Sequence, residues 1–402
     1  MKYNNLILAQ RIIPTCFLIF WGFIAFCQSP QNAAKTNTKK RVAPTVTKVT
    51  APTKNGYRIT ITSPTPNSIE LTPALTKYNK IKGVFVITKD DGGAADFSVV
   101  AKELQNIAGT DGCGNVLPYS YNFAVPGHND NLAAYKALLE KGHSVLNHSN
   151  THSPYVGPES IHEATKKFYN ATGRRLRAFA LPVDYWKYTE EAIRQGYIYV
   201  ESQGFGTEGK AAEKYRPQIA WGGRISAADV KLPIITSREN WDNQFGGPAI
   251  SPFVQRFIDS IIKTSTDGKV FIGHGFGHGP GEKDRVGFRA TMLYIRDHPE
   301  NKDRVWVAGA QEMAEYYEVR IYLLDNPAKI KKTVSGNQAI FDFDLSGLPA
   351  ANYMRDMSFM ATGGTITNVT ATADRLSFNK TTGLINVFHR NKAVANPNLD
   401  KF

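Results

Sequence analysis

Two histidines stand four residues apart, behind a short apolar run, in the stretch that decides the fold: Gly142-His143-Ser144-Val145-Leu146-Asn147-His148-Ser149-Asn150-Thr151-His152. Val145 and Leu146 predict a buried strand, which would deliver both histidines to its carboxyl end. Neutral imidazole is a common ligand of divalent transition metals, and this spacing can place both rings on one side of a turn. An isolated pair of this kind is more often two surface histidines, so the pattern needs support from elsewhere in the chain.

That support comes from a second stretch about sixty residues earlier, Thr88-Lys89-Asp90-Asp91-Gly92. It follows the apolar run Val84-Phe85-Val86-Ile87, which also predicts a buried strand. At the end of a strand, one of two adjacent carboxylates can bind a metal while the other accepts a proton. Asp-Asp-Gly alone is more often a turn. The two stretches together predict one metal-containing catalytic centre.

Strand-like runs alternate with amphipathic helical patterns over residues 81–324. This alternation predicts a parallel sheet closed into a (β/α) barrel. In such folds the reactive groups gather at the carboxyl ends of the strands. Asp90, His148, Pro182 and His274 each follow a strand-like run, so we expect them to share one site.

Smaller units are expected on both sides of the barrel. Residues 54–80 alternate in a way that predicts an N-terminal β hairpin. Residues 325–402 lose the helical pattern and predict a small antiparallel β module. Residues 28–53, rich in Thr, Lys, Pro, Ala and Asn, predict a flexible linker.

Residues 1–27 have the pattern of a secretory signal peptide: two basic residues, the apolar run Ile12–Phe26, and small residues before Gln28. An uncleaved anchor and lipid attachment at Cys27 are the alternatives. Secretion would place the protein in the periplasm, on the cell surface or outside the cell. We expect no transmembrane span in the mature chain. Cys113 would then be its only cysteine, and no internal disulfide could form.

The formal net charge of +13 is compatible with an anionic partner. However, no dense block of Lys and Arg stands out, and aromatic and basic residues do not interleave. We therefore expect no nucleic-acid binding.

The motifs, in this order, resemble the polysaccharide deacetylases of carbohydrate esterase family 4, which share the NodB-like domain. The resemblance covers roughly residues 80 to 320 and is strongest in the glycine-led strand that ends in Asn147-His148 and reaches His152. It implies a distorted (β/α) barrel, a divalent metal, often zinc, and hydrolysis of N- or O-acetyl groups on glycans.

The resemblance also implies a role for each matching residue. Asp90 would be the general base, and Asp91, His148 and His152 would bind the metal. The residues themselves agree with this, because a metal polarises an acetyl carbonyl while a carboxylate takes the proton of the attacking water.

A late histidine of the family, which would protonate the leaving amine or alkoxide, is matched by His274 after the run Val270-Phe271-Ile272. His278 is the competing candidate. A mobile glycine-rich loop over residues 273–279 is the plain alternative.

Two motifs depart from the family pattern. Ala180 stands where the family has the arginine that orients the base, and Ser237 and Asn240 stand where it has two aspartates. Either Arg238 or Lys89 could supply the missing cation, because a buried carboxylate without a partner is costly.

The remaining substrate contacts follow from the same motifs. The backbone N–H of Val183, next to Pro182, would stabilise the oxyanion, since that role needs no particular side chain. Trp241 would line the acetyl pocket, or else lie in the core.

The sequence therefore predicts a secreted, metal-dependent deacetylase that acts on an acetylated polysaccharide or oligosaccharide. The alternative is a non-catalytic glycan-binding relative with a degenerate active site, which the lost arginine and acids favour. Zn²⁺ is the expected metal, with Co²⁺ and Ni²⁺ as alternatives. The identity of the glycan and the oligomeric state stay open.

Overall fold

The computed structural model describes residues 55–93, 104, 106–152, 157–183, 186–202, 219–265, 269–278 and 285–391. The predicted signal peptide, residues 1–27, and the predicted linker, residues 28–53, lie outside these residues. None of the helices described is long and apolar enough to cross a membrane.

The strands are numbered in chain order. They are β1 Gly56–Thr62, β2 Glu70–Pro73, β3 Gly83–Lys89, β4 Ala108–Thr110, β5 Val116–Pro118, β6 Asn122–Val125, β7 Ser144–Asn147, β8 Ala178–Ala180, β9 Tyr199–Ser202, β10 Ile219–Ala220, β11 Arg224–Ser226, β12 Ile234–Ser237, β13 Glu239–Asn240, β14 Phe271–Gly277, β15 Val305–Val307, β16 Ile330–Ser335, β17 Gln338–Asp344, β18 Met357–Thr362, β19 Asn368–Ala371, β20 Arg375–Asn379 and β21 Leu384–Phe388. The α-helices are Tyr135–Glu140, Glu159–Thr172, Trp186–Arg194, Pro252–Ile262, Arg285–Asp297 and Ala310–Asp325.

The central sheet has the strand order β10-β12-β9-β8-β7-β6-β3-β14-β11, with β15 added beside β3 and β13 beside β14. Every pairing in it is parallel except that of β11 with β14. The two outermost strands, β10 and β11, are separated in the chain only by the 3₁₀ turn Trp221–Gly223, so the sheet curls back on itself. The distorted (β/α) barrel predicted from the sequence is confirmed.

Strand β3 shows how the barrel divides the core into two layers. Val84 and Val86 belong to the inner cluster, while Phe85 and Ile87 belong to the cluster between the sheet and the helices. Successive side chains of a strand point to opposite faces, so this alternation continues to Thr88 and Asp90 on the inner face. The phase of β3 therefore sets the direction in which Asp90 enters the site.

Strand β14 rules out the alternative of a loop for residues 273–277, since it is regular as far as Gly277. Its glycines allow the outer layer to approach the backbone. A Cβ on Gly275 would lie 2.4 Å from the Trp241 ring, and one on Gly273 would lie 2.1 Å from Ile261. Only glycine fits at such distances.

The predicted N-terminal hairpin over residues 54–80 is wrong. Strand β1 pairs with β17 and β19, whereas β2 pairs with β18. The two N-terminal strands thus enter two different antiparallel sheets, whose orders are β16-β17-β1-β19 and β2-β18-β21-β20. These sheets pack face to face, with the Phe343 and Phe359 ring centroids 4.8 Å apart. The predicted C-terminal β module is therefore a β sandwich completed by the N-terminal strands.

Buried ion pairs join this sandwich to the helix Ala310–Asp325. Lys77, whose side chain is 2 % exposed, lies 2.5 Å from Glu312 and 2.7 Å from Asp356. On the same helix, Glu318 pairs with Arg177, which directly precedes β8 of the barrel, through two hydrogen bonds at 2.6 Å and 2.8 Å. Charges this deeply buried are stable only when they are paired.

We predict that Lys77→Met lowers the free energy of unfolding by about 3 kcal/mol, because the buried Asp356 and the partly buried Glu312 then lose the cation that they share and Asp356 keeps only Arg390. Urea titration followed by circular dichroism measures this change. The control is Lys263→Met, which removes an exposed lysine from a surface pair with Asp259 and should change little. Equal losses in both variants would contradict the predicted role of Lys77.

Candidate active site

Three predicted metal ligands meet at the carboxyl ends of β3 and β7. One ligand atom from each of Asp91, His148 and His152 lies within 4.8 Å of the other two. Asp91 Oδ1 is 3.0 Å from His152 Nε2 and 3.6 Å from His148 Nε2. His148, followed by the charges of His152 and His278, lowers the pKa of Asp91 to about 2 although burial raises it. The carboxylate is therefore ionised, as a metal ligand must be.

The imidazole nitrogens fit a metal. Nδ1 of His148 donates a hydrogen bond to the carbonyl oxygen of Ala180 at 2.9 Å, which leaves Nε2 unprotonated. Nε2 of His148 and Nε2 of His152 are buried and have no hydrogen-bond partner among the described residues. Buried polar atoms are normally satisfied, so these two nitrogens and the Asp91 carboxylate form a suitable donor set for Zn²⁺ or a similar ion.

The backbone of these ligands is in an uncommon conformation. Asp91 and His152 have φ values of 54° and 48°, and Ser149 between the histidines has 61°. Residues other than glycine rarely adopt the left-handed region, and such strain gathers at functional sites. Here it turns the Asp91 side chain away from the alternation of β3, so that Asp91 is half exposed while Asp90 is fully buried.

Asp90 is held by Arg238, the first of the two cations considered for this role. The Arg238 guanidinium bonds both carboxylate oxygens of Asp90, at 2.7 Å and 2.9 Å, and neither side chain is exposed. The ring of Phe276 stacks on the guanidinium at 3.8 Å. Burial alone would lower the pKa of Arg238, but the charges of Asp90 and Glu201 raise it. An arginine from a different position thus occupies the role expected of position 180.

Glu201 is a second buried carboxylate on this arginine, and the sequence motifs did not point to it. Its Oε2 accepts from Arg238 at 2.9 Å, and its Oε1 accepts from Thr88 at 2.7 Å and from Tyr199 at 2.9 Å. Burial raises the pKa of Glu201, while Arg238 opposes this change. Glu201 lies in a strand-like run where the sequence alone gives no sign of an inward-facing charge.

His278 lies at the mouth of the site, opposite the metal ligands. Its Nδ1 is 3.0 Å from each carboxylate oxygen of Asp242, and its Nε2 is 3.8 Å from Asp91. Burial raises the pKa of Asp242, but the hydrogen bonds from His278 outweigh it and leave the pKa below its ordinary value. Asp242 therefore stays charged and fixes the orientation of an imidazole that is half exposed.

His274, the predicted proton donor, lies deep inside the barrel and not beside the predicted metal ligands. It pairs with Val86 in the register of β14 and β3, four residues or about 13 Å before the level of Asp90. It is fully buried, and its Nδ1 donates to the Tyr199 hydroxyl at 2.7 Å. Burial, with the charge of Arg238, lowers the pKa of His274 to about 3. His278, the competing candidate, is the one of the two that lies near Asp91.

Of the other predicted substrate contacts, Pro182 and Val183 lie near the metal ligands, whereas Trp241 lies in the core. Pro182 is buried and Val183 half-buried directly after β8, at the strand end whose Ala180 carbonyl binds His148. They are therefore close to the metal ligands. Trp241 is fully buried and packs on Phe257, with ring centroids 5.7 Å apart. It belongs to the core and does not line an open pocket.

An open cleft of about 290 Å³ adjoins the metal ligands, lined by Asp91, Gly92, Pro126, His128, Asn129 and His152. Nδ1 of His128 donates to the Asn150 carbonyl at 2.9 Å. Asn129 Nδ2 donates to the Gly92 carbonyl at 2.7 Å, which ties the wall of the cleft to the Asp90-Asp91 turn.

No protein-family model matches the sequence, and no curated protein matches it. Among solved structures, a protein from Mycobacterium smegmatis assigned as a polysaccharide deacetylase matches at 12 % identity, over 61 % of this chain and 94 % of that chain, with a TM-score of 0.40. The polysaccharide deacetylase Bc1974 from Bacillus cereus matches at 14 % identity, over 56 % and 91 %, with a TM-score of 0.30. A pseudoenzyme of carbohydrate esterase family 4 from Bacillus anthracis matches at 14 % identity, over 58 % and 65 %, with a TM-score of 0.31. Because these values are low, we base the function on the geometry of the site.

We predict that His152→Ala removes most of the zinc that the protein retains after dialysis, because one of three ligands is lost while the fold remains. Mass spectrometry of the metal content measures this, with circular dichroism to check folding. The control is His128→Ala in the same cleft, which should keep zinc. Stoichiometric zinc in His152→Ala would show that these residues are not the metal site.

Proposed function

We propose that the protein is a metal-dependent deacetylase that hydrolyses N- or O-acetyl groups of a polysaccharide or oligosaccharide. The observation that carries this proposal is the placement of a buried carboxylate, Asp90, directly beside a three-ligand metal site, with His278 on its other side. A divalent metal at Asp91, His148 and His152, most suitably Zn²⁺, would polarise the acetyl carbonyl and acidify a water molecule.

Asp90 is suited to accept a proton. Arg238 bonds both of its oxygens, which fixes the carboxylate and keeps it from becoming a further metal ligand. Asp90 directly follows Lys89, the last residue of β3, and directly precedes the metal ligand Asp91, so the backbone sets its position relative to the metal ligands. In this arrangement the general base and the metal ligands are separate groups, as hydrolysis requires.

His278 is suited to deliver a proton to the leaving amine or alkoxide. The Asp242 carboxylate holds Nδ1, so Nε2 is the nitrogen directed at Asp91 and the metal ligands. A carboxylate in this position orients the ring. The backbone N–H of Val183 remains our proposed oxyanion donor.

The alternative, a glycan-binding relative without catalysis, rested on the loss of the motif arginine and of two aspartates. The geometry supplies substitutes for these groups, because Arg238 holds Asp90 and Asp242 holds His278. A protein that only bound sugar would have no need for a buried base tied to a cation. This favours hydrolysis over simple binding.

Secretion through residues 1–27 is part of the proposal and rests on the sequence pattern alone. An acetylated glycan of the cell envelope or of the surroundings would then be within reach. Chitin-like oligomers, peptidoglycan, poly-N-acetylglucosamine and acetylated xylan form the panel to be tested.

We predict that the zinc-loaded protein releases acetate from at least one member of this panel, and that Asp90→Asn lowers kcat by roughly 100-fold or more, because the general base is lost. An enzymatic acetate assay measures the release. Asp130→Asn, which changes an exposed aspartate, is the control and should keep full activity. Equal rates in Asp90→Asn and the wild type would rule out Asp90 as the base.

We predict that His278→Ala lowers kcat by about 100-fold while zinc stays bound, because the proton donor is lost but the ligands remain. Asp242→Asn should give a smaller fall in the same direction, since it removes the group that orients the ring. The same acetate assay, with zinc content measured beside it, decides this. An unchanged kcat in His278→Ala would show that His278 is not the proton donor.

A further inference from the structure

We propose that Glu201 is a positioning residue of this site: it binds the same guanidinium nitrogen of Arg238 as Asp90 does, and thereby fixes the arginine that holds the general base. This inference rests on the proposed function and concerns how the site works without the arginine expected at position 180.

The contacts of Arg238 show that one carboxylate does not account for its placement. Nη1 bonds both Asp90, at 2.7 Å, and Glu201, at 2.9 Å. Nε donates to the carbonyl oxygen of Ser202 at 3.2 Å. The guanidinium is therefore held by Glu201 and Ser202 of β9 as well as by Asp90, and it has little freedom to move.

Glu201 is also held by hydrogen bonds from residues other than Arg238. The hydroxyls of Thr88 and Tyr199 both donate to Oε1 of Glu201. Thr88 lies on β3, two residues before Asp90. Tyr199 in turn accepts from Nδ1 of His274. All of these side chains are buried. The chain of contacts runs across the inside of the barrel and ends at Asp90.

The register of the sheet explains why position 180 carries a small residue. Ala180 on β8 pairs with Glu201 on β9, so both side chains lie side by side on the same face of the sheet. Ala180 is fully buried. A long side chain there would compete for the space that Glu201 and Arg238 occupy. The small side chain at position 180 is thus compatible with Glu201 and Arg238 occupying this part of the barrel.

This arrangement places two carboxylates on one buried guanidinium. If one carboxylate is removed, the arginine still pairs with the other. If both carboxylates are removed, an unpaired cation is left in the core, which costs far more than either single loss. Glu201 and Asp90 should therefore be coupled through Arg238, although the structure gives no direct bond between them.

The test uses Glu201→Gln, which keeps the shape of the side chain and removes its charge. We expect kcat for acetate release to fall by roughly 100-fold with KM and zinc content nearly unchanged, because a base displaced by about an ångström loses its alignment. Glu318→Gln, which alters another buried glutamate paired with an arginine, is the matched control and should keep kcat. A lower Tm with an unchanged kcat in Glu201→Gln would overturn the proposal.

A second measurement does not depend on turnover. We expect the double variant Asp90→Asn/Glu201→Gln to lose more Tm than the sum of its two single variants, whereas Asp90→Asn/Glu318→Gln should be additive. Additive losses in both pairs would overturn the proposal. If the wild-type protein releases no acetate from any glycan, the proposed function fails, and this thermal comparison alone decides whether Glu201 holds Arg238 against Asp90.

Discussion

The pairing of Arg238 with Asp90 is the interaction on which the rest of the site depends. Asp90 ends a strand that is buried on both faces, and its carboxylate has no access to solvent. A buried carboxylate in that position is costly unless a cation is paired with it. The guanidinium binds both of its oxygens, and in the proposed function this leaves Asp91 as the ligand and Asp90 as the base. Two adjacent aspartates acquire different roles because only one of them meets the arginine.

The barrel provides this difference through simple strand geometry. Even-numbered side chains of β3 face inward and lead to Asp90, while the left-handed backbone of Asp91 turns the next carboxylate toward the histidines. On β14, glycines on the outer face let Trp241 pack against the backbone, and Phe276 on the inner face stacks on Arg238. The same strand ends next to His278, so one element supports the arginine and delivers the proposed proton donor.

Much of this arrangement could be predicted from sequence, because it is local. Strand ends followed by Asp90-Asp91 and by His148 and His152 place ligands within a few residues of a recognisable apolar run, and the structure brings them together. The Arg238–Asp90 pair joins residues 148 apart, and only the general need for a cation pointed to it. Glu201 escaped notice because a single charge in an apolar run does not reveal whether it faces inward.

The N-terminal hairpin and the end of β14 were both predicted wrongly, because a local sequence pattern does not show how a strand is paired in the sheet. The alternation of apolar and polar residues in a strand does not show which strand it pairs with. The sequence therefore predicted that β1 and β2 pair with each other, although their partners lie at the other end of the chain. Glycine is depleted in strands, so the Gly-x-Gly-x-Gly run left a loop open as the alternative, and the strand was predicted only over Val270-Phe271-Ile272. It continues to Gly277, and His278 therefore lies beside Asp91.

The measurement that tests this account most directly is a crystal structure of the zinc-loaded protein, with the metal located by its anomalous scattering. We expect one strong zinc peak about 2.0–2.2 Å from a carboxylate oxygen of Asp91 and from Nε2 of both His148 and His152. Asp90 should remain outside the coordination sphere, with both of its oxygens on Arg238. A zinc ion bound by Asp90, with Arg238 displaced from it, would contradict the separation of base and ligand on which the account rests.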